Sequence, residues 1–327
     1  MRTPIRSTVC AISTVLVLGA ATACEPPPPP PVLVVTTTAV GPDSSPGDGI
    51  CEMTPDAGDC SLEAALQEGN ALGRAAVSLA DSGYSVPAVT ITGEISVTGV
   101  RPVLGAPGTT LSGGPIDVGA DGRLVLDTLT MNGGGMSVDG VLDVRRSYLF
   151  WTQGLMPSIP TVDVNVGGTA LFQNTILPGY TSAAPALHNS GVVVLHHTTV
   201  FASPTGGQAL HNEGVVHSVA SYLASCSGTP LVSYGYNAGP AATCGLDDPT
   251  DVASPTGLMI NGSPRWYFFM YTLSASSPMT DAVPAGVHGC GTTVTDDLLL
   301  RARPFDGDGD GTAACDIGAL EEAPYVP

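Results

Sequence analysis

The chain has 327 residues, with 29 acidic and 10 basic side chains and a formal net charge of −19; every basic residue is an arginine. Nucleic-acid binding and attachment to anionic membranes both need clustered cations, so this charge balance excludes them as general roles. The 41 glycines, 29 prolines and 43% apolar residues together favour a folded domain of short strands with tight corners.

Residues 1–23 are predicted to be a signal peptide. Arg2 and Arg6 give it a positive start, an apolar run too short to span a bilayer follows, and residues 21–23 (ATA) form a small-residue cleavage site. Cys24 comes next, at the position where bacterial lipoproteins carry their lipid. We therefore expect an exported chain held at the outer face of the cell membrane through Cys24, with ordinary secretion as the alternative.

Residues 24–34 form a proline-rich segment. The prolines at 26–31 favour an extended polyproline II stalk about 19 Å long. Such a stalk holds the following domain away from the membrane, so membrane contact is expected only through the lipid anchor. A disordered tail is the alternative.

Six cysteines remain once Cys10 and Cys24 are set aside, and they lie in three neighbouring pairs. Export favours oxidation, and among the fifteen pairings that six cysteines allow, the local one needs no long-range threading. A metal cluster is the alternative, although no two cysteines are separated by two residues. The predicted disulfides are Cys51–Cys60, Cys226–Cys244 and Cys290–Cys315.

The centre of the chain is repetitive. Residues 186–193 (ALHNSGVV) recur 23 residues later at 209–216 (ALHNEGVV), and looser copies begin upstream, from Gly122 onward. Apolar residues alternate within each unit, which indicates short strands, and no unit has a helical period. Such units stack as coils of an all-β, single-stranded, right-handed parallel β-helix, for which residues 86–283 provide about eight or nine coils.

Stacking brings equivalent positions of successive coils together. Asn189 and Asn212 lie one coil apart, and their amides are expected to form a hydrogen-bonded ladder. His188 and His211 are interpreted as a stacked corner; a metal or catalytic pair is the alternative, but their column supplies no acidic partner. Another column, six residues after the glycine of each unit, contains Thr128, Arg146, Asn174, His197 and Ala220.

Both ends of a solenoid must be covered against strand addition. Residues 35–85 are predicted to form an N-terminal cap, whose helix begins after Ser61 and stops at residues 69–70 (GN). Residues 284–327 are predicted to form a disulfide-closed C-terminal cap. Five aromatic residues between 266 and 271 are interpreted as an apolar lid over the last coil, with a sugar-stacking platform as the alternative.

Both ends also resemble known motifs of exported bacterial proteins. Residues 35–39 (VTTTA), 48–51 (DGIC) and 60–71 (CSLEAALQEGNA) resemble the N-terminal CSLREA motif, with Glu63 in place of its arginine. The far end is similar to the choice-of-anchor Q type of β-helix protein, with residues 296–297 (DD) in place of an Asp-Gln pair. The resemblance implies a right-handed parallel β-helix on an exported, often surface-held protein, and it implies no single activity. The matching C-terminal stretches are 234–237 (YGYN), 261–264 (NGSP), 277–282 (SPMTDA), 303–311 (RPFDGDGDG) and 315–321 (CDIGALE).

An acidic loop near the C-terminus resembles the start of a calcium-binding loop. Asp306, Asp308 and Asp310 alternate with glycines, which places hard oxygen donors at the first, third and fifth positions. A full EF-hand would need an acid where Ile317 stands, and Asp316 is the nearest substitute. The predicted cofactor is therefore Ca²⁺ on these four aspartates, with an acidic turn locked by a disulfide as the alternative.

The expected function is a non-catalytic binding or structural role outside the cell, for a monomer that contacts a glycan, a cell-envelope component or another protein. Phe150 and Trp151 are the predicted contact surface, because insertions project from one side of a solenoid; a loop folded onto its own coil is the alternative. The alternative function is a polysaccharide lyase or glycoside hydrolase, for which Asp143 and Arg146 are the candidate catalytic residues.

Overall fold

The computed structural model describes residues 28–100, 108–150, 159–179, 184–202, 207–253, 258–261 and 270–322. The predicted signal peptide, Cys24, Trp151 and the aromatic residues 266–269 lie outside these ranges. The described residues form a parallel β-helix, which confirms the predicted fold class. No helix in this described part is long and apolar enough to cross a membrane.

The strands follow one another in coils. Strand β1 (Val32–Val34) and helix α1 (Leu62–Leu72) precede a two-stranded coil of β2 (Arg74–Ser78) and β3 (Gly83–Val86). Three-stranded coils follow, comprising β4 (Val89–Ile91), β5 (Glu94–Thr98), β6 (Thr110–Gly113); β7 (Ile116–Val118), β8 (Arg123–Asp127), β9 (Thr130–Asn132); β10 (Met136–Val138), β11 (Val141–Arg145), β12 (Tyr148–Phe150); β13 (Val162–Val164), β14 (Thr169–Gln173), β15 (Ile176–Pro178); β16 (Leu187–Asn189), β17 (Val192–His196), β18 (Thr199–Phe201); β19 (Leu210–Asn212), β20 (Val215–Val219), β21 (Tyr222–Leu223); and β22 (Cys226–Gly228), β23 (Val232–Ser233), β24 (Ala238–Gly239). The remaining elements are α2 (Ala241–Cys244), β25 (Val252–Ala253), β26 (Leu258–Asn261), β27 (Met270–Leu273), β28 (Val283–Pro284), a 3₁₀ turn (Val287–Gly289) and β29 (Ala314–Cys315).

Each three-stranded coil contributes one strand to each of three parallel sheets. The first sheet has the order β1-β2-β5-β8-β11-β14-β17-β20-β23, the second runs from β3 to β25, and the third runs from β4 to β22. Register places Leu142 of β11 between Leu124 of β8 and Ala170 of β14, and these three side chains are at most 1% exposed. Inward residues of successive coils therefore form one continuous apolar interior, as the alternating pattern predicts.

Helix α1 covers the open end of the interior. Ser61 is its N-cap, and the Ser61 Oγ accepts the N–H of Ala64 at 3.0 Å, as the sequence predicts. Leu62 and Leu66 face Leu111 across a small apolar cavity among the first coils. The helix thus stands where later coils place a strand of the third sheet.

The predicted end of α1 is wrong. The helix passes through residues 69–70 and continues to Leu72, ending at Gly73, which has a φ of 77°. Gly69 serves packing instead: a β-carbon on it would lie 3.0 Å from Cβ of Ala75 in strand β2. Glycine at this position lets the helix approach the first sheet closely.

The solenoid begins earlier than the sequence predicts. Strand β1 pairs with β2, and the Ala76 N–H donates to the Pro31 carbonyl at 2.8 Å, so residues 32–34 belong to the first sheet rather than to a stalk. Strand β2 also lies before residue 86, and β3 ends at that residue. The last strand in chain order that belongs to any of the three sheets is β25. Seven three-stranded coils occupy the described residues.

Three disulfides and a hydrogen bond between asparagine side chains join neighbouring segments. The disulfides join Cys51 to Cys60, Cys226 to Cys244 and Cys290 to Cys315, which are the three pairs that sequence proximity favours. In the interior, the Asn189 Nδ2 donates to the Asn212 Oδ1 at 2.8 Å, which confirms the predicted ladder.

The corner between the first and second sheets has a left-handed backbone. In six successive coils, from that of β7–β9 to that of β22–β24, one non-glycine residue adopts a positive φ there, between 44° and 59°. Such a conformation costs on the order of 1–3 kcal/mol for a residue other than glycine, so the surrounding coils must impose it. The corner residues are Thr128, Arg146, Asn174, His197, Ala220 and Tyr236.

Candidate functional site

The C-terminal segment runs along the side of the coils and binds this left-handed corner. We refer to residues 290–321 as the clasp. Its Asp296 carboxylate lies 3.3 Å from the Arg146 guanidinium, and its Asp296 carbonyl accepts the Asn174 Nδ2 at 2.7 Å. Two coils beyond Asn174, the clasp's Gly318 N–H donates to the Ala220 carbonyl at 2.9 Å. The clasp thereby ties several coils together through the corner column.

The clasp also packs against the coils through apolar side chains. Leu298, Ala319 and Leu320 of the clasp form a buried cluster with Tyr148, Ile176 and Phe201, which lie on the second sheet. The disulfide-closed segment therefore covers the flank of the solenoid along the second sheet.

Arg303 is the central cation of the clasp and is 4% exposed. Its Nη2 donates to the Gly318 carbonyl at 2.7 Å, and its Nη1 lies 3.1 Å from the Glu321 Oε1. The same Nη1 donates to the Nδ1 of His197, so the ring proton of His197 is on Nε2. Burial, reinforced by the Arg303 charge, lowers the pKa of His197 well below its ordinary value and keeps this imidazole neutral.

Buried carboxyl groups surround this arginine. Asp297, Asp316 and Glu321 are all at most 2% exposed. Asp297 closes a tight turn by accepting the N–H groups of Leu299 and Arg301 at 2.7 and 2.8 Å. Burial raises the pKa of Asp316 to about 7 and the pKa of Glu321 to about 8.

Both candidate catalytic residues form ion pairs with other side chains. Asp143 is 2% exposed, and its two carboxylate oxygens accept the Arg145 Nε and Nη2 at 2.9 and 2.6 Å. Arg146 pairs with Asp127 through its Nε and Nη2, and with Asp296 through its Nη1. Asp143 and Arg146 thus belong to separate ion-pair networks, which stabilise the first sheet and the clasp respectively.

The acidic loop gathers a different set of carboxylates from the predicted one. Oxygens of Asp281, Asp306 and Asp308 lie within 4.8 Å of one another. The sequence pattern does not reveal Asp281, because this residue precedes the loop by 25 residues and its stretch, SPMTDA, has no spacing typical of metal ligands. Asp310 instead accepts the N–H of Thr312 at 2.7 Å, and Asp316 accepts the N–H of Asp281 at 2.8 Å.

The loop fits a hard cation. The Asp281 Oδ2 accepts the N–H groups of Gly307 and Asp308, both at 2.9 Å, whereas its buried Oδ1 has no hydrogen-bond partner. A buried carboxylate oxygen without a donor is unfavourable unless a cation neutralises it. Oxygen donors from three aspartates are the donor set that Ca²⁺ takes.

The remaining predicted residues lie on other surfaces. Phe150 ends strand β12, and Trp151 lies beyond the described residues.

The rings of His188 and His211 are stacked, with centroids 5.3 Å apart. The expectation that their column has no acid is wrong, because Asp163 is in register with His188 and the His188 Nδ1 bonds to the Asp163 Oδ1 at 2.7 Å. The 23-residue period does not predict this contact, because Asp163 lies 25 residues before His188.

We predict that stability falls as pH rises above 6.5, because of Glu321. The folded chain holds a proton on Glu321 up to about pH 8, whereas the unfolded chain releases it near the ordinary value of 4.5. Glu321 therefore lowers the free energy of unfolding by at most about 1.4 kcal/mol per pH unit, and Asp316 adds a loss of the same sign up to about pH 7. The opposing change from His196 and His197, which are neutral in the folded chain, ends about one pH unit above 6.5, where these residues have also lost their protons in the unfolded chain.

The measurement is urea unfolding between pH 6.5 and 8.5. Glu321→Gln retains an oxygen acceptor for Arg303 and removes the titration, so its stability is expected to change less with pH. The matched control is Glu94→Gln, which alters an exposed carboxylate on the first sheet and keeps the wild-type slope. Equal slopes in the wild type and Glu321→Gln contradict the prediction.

Comparison of this chain with protein-family models, curated proteins and solved structures found no match. The functional inference therefore rests on the geometry of the chain itself.

Proposed function

We propose that the chain is an exported, lipid-anchored solenoid with a non-catalytic binding or structural role at the cell surface. The observation that supports export is the pairing of all six described cysteines into disulfides. Disulfides of this kind persist in oxidising compartments and are rare in the cytosol. The signal-like residues 1–23, Cys24 and the resemblance of both ends to exported bacterial β-helix proteins support the same proposal.

The ion pairs of Asp143 and Arg146 support a non-catalytic role. Acid–base cleavage of a glycan needs a pair of carboxyl groups placed on either side of the scissile bond, or a base beside a cation that stabilises the developing charge. Asp143 is buried beneath Arg145, and Arg146 is shared between Asp127 and Asp296. Neither residue offers a free group to a substrate, so a polysaccharide lyase or glycoside hydrolase is the weaker alternative.

The proposal includes Ca²⁺ as a structural ion of the acidic loop. Asp281, Asp306 and Asp308 are the proposed ligands, and the unpartnered Asp281 Oδ1 carries the argument. The ion would join the loop to the segment that precedes the clasp, so its role is to stabilise the C-terminal region.

Export and anchoring are tested with the full gene in a bacterium that processes lipoproteins, fed a clickable fatty acid. The wild-type chain is expected in the membrane fraction, labelled, and without free thiols. Cys24→Ser is expected to lose the label and to appear among soluble exported proteins. Cys10→Ser is the matched control and keeps the label, because Cys10 leaves with the signal peptide. A cytosolic wild-type chain, or one without label, contradicts the proposal.

The non-catalytic role is tested by incubating the purified chain with uronate polymers and by probing a glycan array. We expect no unsaturated or shortened products, whether or not a glycan binds. Product formation that stops in Asp143→Asn, while that variant keeps the wild-type circular dichroism spectrum, would establish the enzyme alternative.

Calcium binding is tested by calorimetry and thermal unfolding of the full chain. A calcium concentration 100 times the Kd is expected to stabilise the fold by about 2.7 kcal/mol. Asp308→Asn is expected to weaken binding more than about tenfold, because a neutral amide replaces a charged ligand. Asp310→Asn is the matched control from the same loop and retains binding. No heat with the wild type, or equal losses in both variants, contradicts the proposed ligand set.

A further inference from the structure

The outward face of the third sheet carries a polar column. Register aligns the middle residues of its strands, so that Asp163, His188, His211 and Ser227 follow one another along four coils. Glu213 comes directly after strand β19 and lies beside both imidazoles. The side chains of Asp163, His188, His211 and Glu213 are between one quarter and three fifths exposed, so solvent reaches the group.

Hydrogen bonds fix the proton of His188. Its Nδ1 lies 2.7 Å from the Asp163 Oδ1, and a carboxylate can only accept, so the Nδ1 carries the proton. The Nε2 of the neutral ring therefore presents a lone pair. A carboxylate that holds the second nitrogen of a histidine in this way is the usual partner of a metal-binding imidazole.

The same argument holds for His211. Its Nδ1 lies 2.8 Å from the Ser227 Oγ, and the Ser227 hydroxyl donates its own proton to the Gln208 Oε1 at 2.5 Å. The Ser227 oxygen is thus an acceptor toward the ring, so the Nδ1 of His211 carries the proton. Its Nε2 also presents a lone pair.

The Nε2 atoms of both histidines lie near the carboxylate of Glu213. The His188 Nε2 lies 3.8 Å from one Glu213 oxygen, and the His211 Nε2 lies 3.5 Å from the other. With both rings in the neutral form, the two Nε2 lone pairs and the carboxylate repel one another, and a cation between them relieves that repulsion. One donor atom from each residue lies within 4.8 Å of the others, and closure to about 3.3 Å would give tetrahedral coordination at zinc–ligand distances.

We propose that His188, His211 and Glu213 bind a borderline divalent transition-metal ion, with Zn²⁺ as the representative ion. Two imidazole nitrogens and one carboxylate oxygen are a donor set that zinc takes with its fourth position open. Asp163 and Ser227 position the rings without contacting the metal. The open position would take water or a donor group from a bound partner. The site lies on the third sheet, so this proposal is independent of the calcium loop and of the lipid anchor.

The test is calorimetric titration of Zn²⁺ into the metal-stripped full chain, prepared without a polyhistidine tag and in calcium-containing buffer. One Zn²⁺ per chain is expected, and Co²⁺ in its place should give the visible absorption of a tetrahedral site. His211→Ala and Glu213→Gln should each weaken zinc binding more than about tenfold. Asp163→Asn should weaken it by about 10–100-fold, as loss of an outer carboxylate does.

His217→Ala is the matched control, because it removes an imidazole of the first sheet that contacts Tyr234. It should leave zinc affinity unchanged. Unaltered circular dichroism of the metal-free variants shows that the surface changes leave the solenoid folded. Absence of zinc binding by the wild type, or equal affinity in His211→Ala and His217→Ala, overturns the proposal.

Discussion

The left-handed corner between the first and second sheets is the constraint on which the rest of the structure depends. Each coil must turn sharply there, and residues such as Arg146, Asn174 and His197 adopt a conformation that is unfavourable for any side chain with a β-carbon. Stacked neighbours hold that conformation through their ladder hydrogen bonds. The corner also turns polar groups toward the flank of the solenoid, where they need partners, and the clasp supplies them.

The chemistry of the clasp follows from that need. Arg303 suits the corner because its planar guanidinium donates several hydrogen bonds in fixed directions, reaching His197, Glu321 and the Gly318 carbonyl together. A buried cation requires a buried anion, and this region contains more carboxyl groups than it can pair. Burial therefore raises the pKa values of both Asp316 and Glu321, so that the carboxyl groups around Arg303 do not all ionise together near neutral pH. The acidic composition of the chain thus appears inside the fold as well as on its surface.

Much of the solenoid could be predicted from the sequence because its determinants are local. The N-cap of Ser61 depends on a contact three residues away, each disulfide joins neighbouring cysteines, and the 23-residue period aligns Asn189 with Asn212. The sequence predicts a helix stop at Gly69, which is wrong because this glycine is required by a contact with Ala75, beyond the end of the helix.

The clasp and the carboxylate cluster could not be predicted in the same way. Arg303 meets His197 across 106 residues of chain, and Asp281 meets the acidic loop only because the C-terminal segment folds back. No local period encodes either approach. The column that contains Arg146 and His197 was visible in the sequence, but its left-handed conformation and its partner segment are tertiary features.

Register gives a parallel β-helix two kinds of polar column, and they have different consequences. An interior column, such as that of Asn189 and Asn212, satisfies its own hydrogen bonds, so it contributes stability and offers nothing to a ligand. The outward column of the third sheet is different because its residues vary from coil to coil. Asp163 and Ser227 occupy the Nδ1 atoms of the two histidines and leave both Nε2 atoms directed toward Glu213. The coils between these residues differ in length, because 25 residues separate Asp163 from His188 and 16 separate His211 from Ser227, yet their strands stay in register. The loops between strands take up the difference, so strand pairing, and not a fixed period, brings the Asp163 carboxylate beside the imidazole of His188.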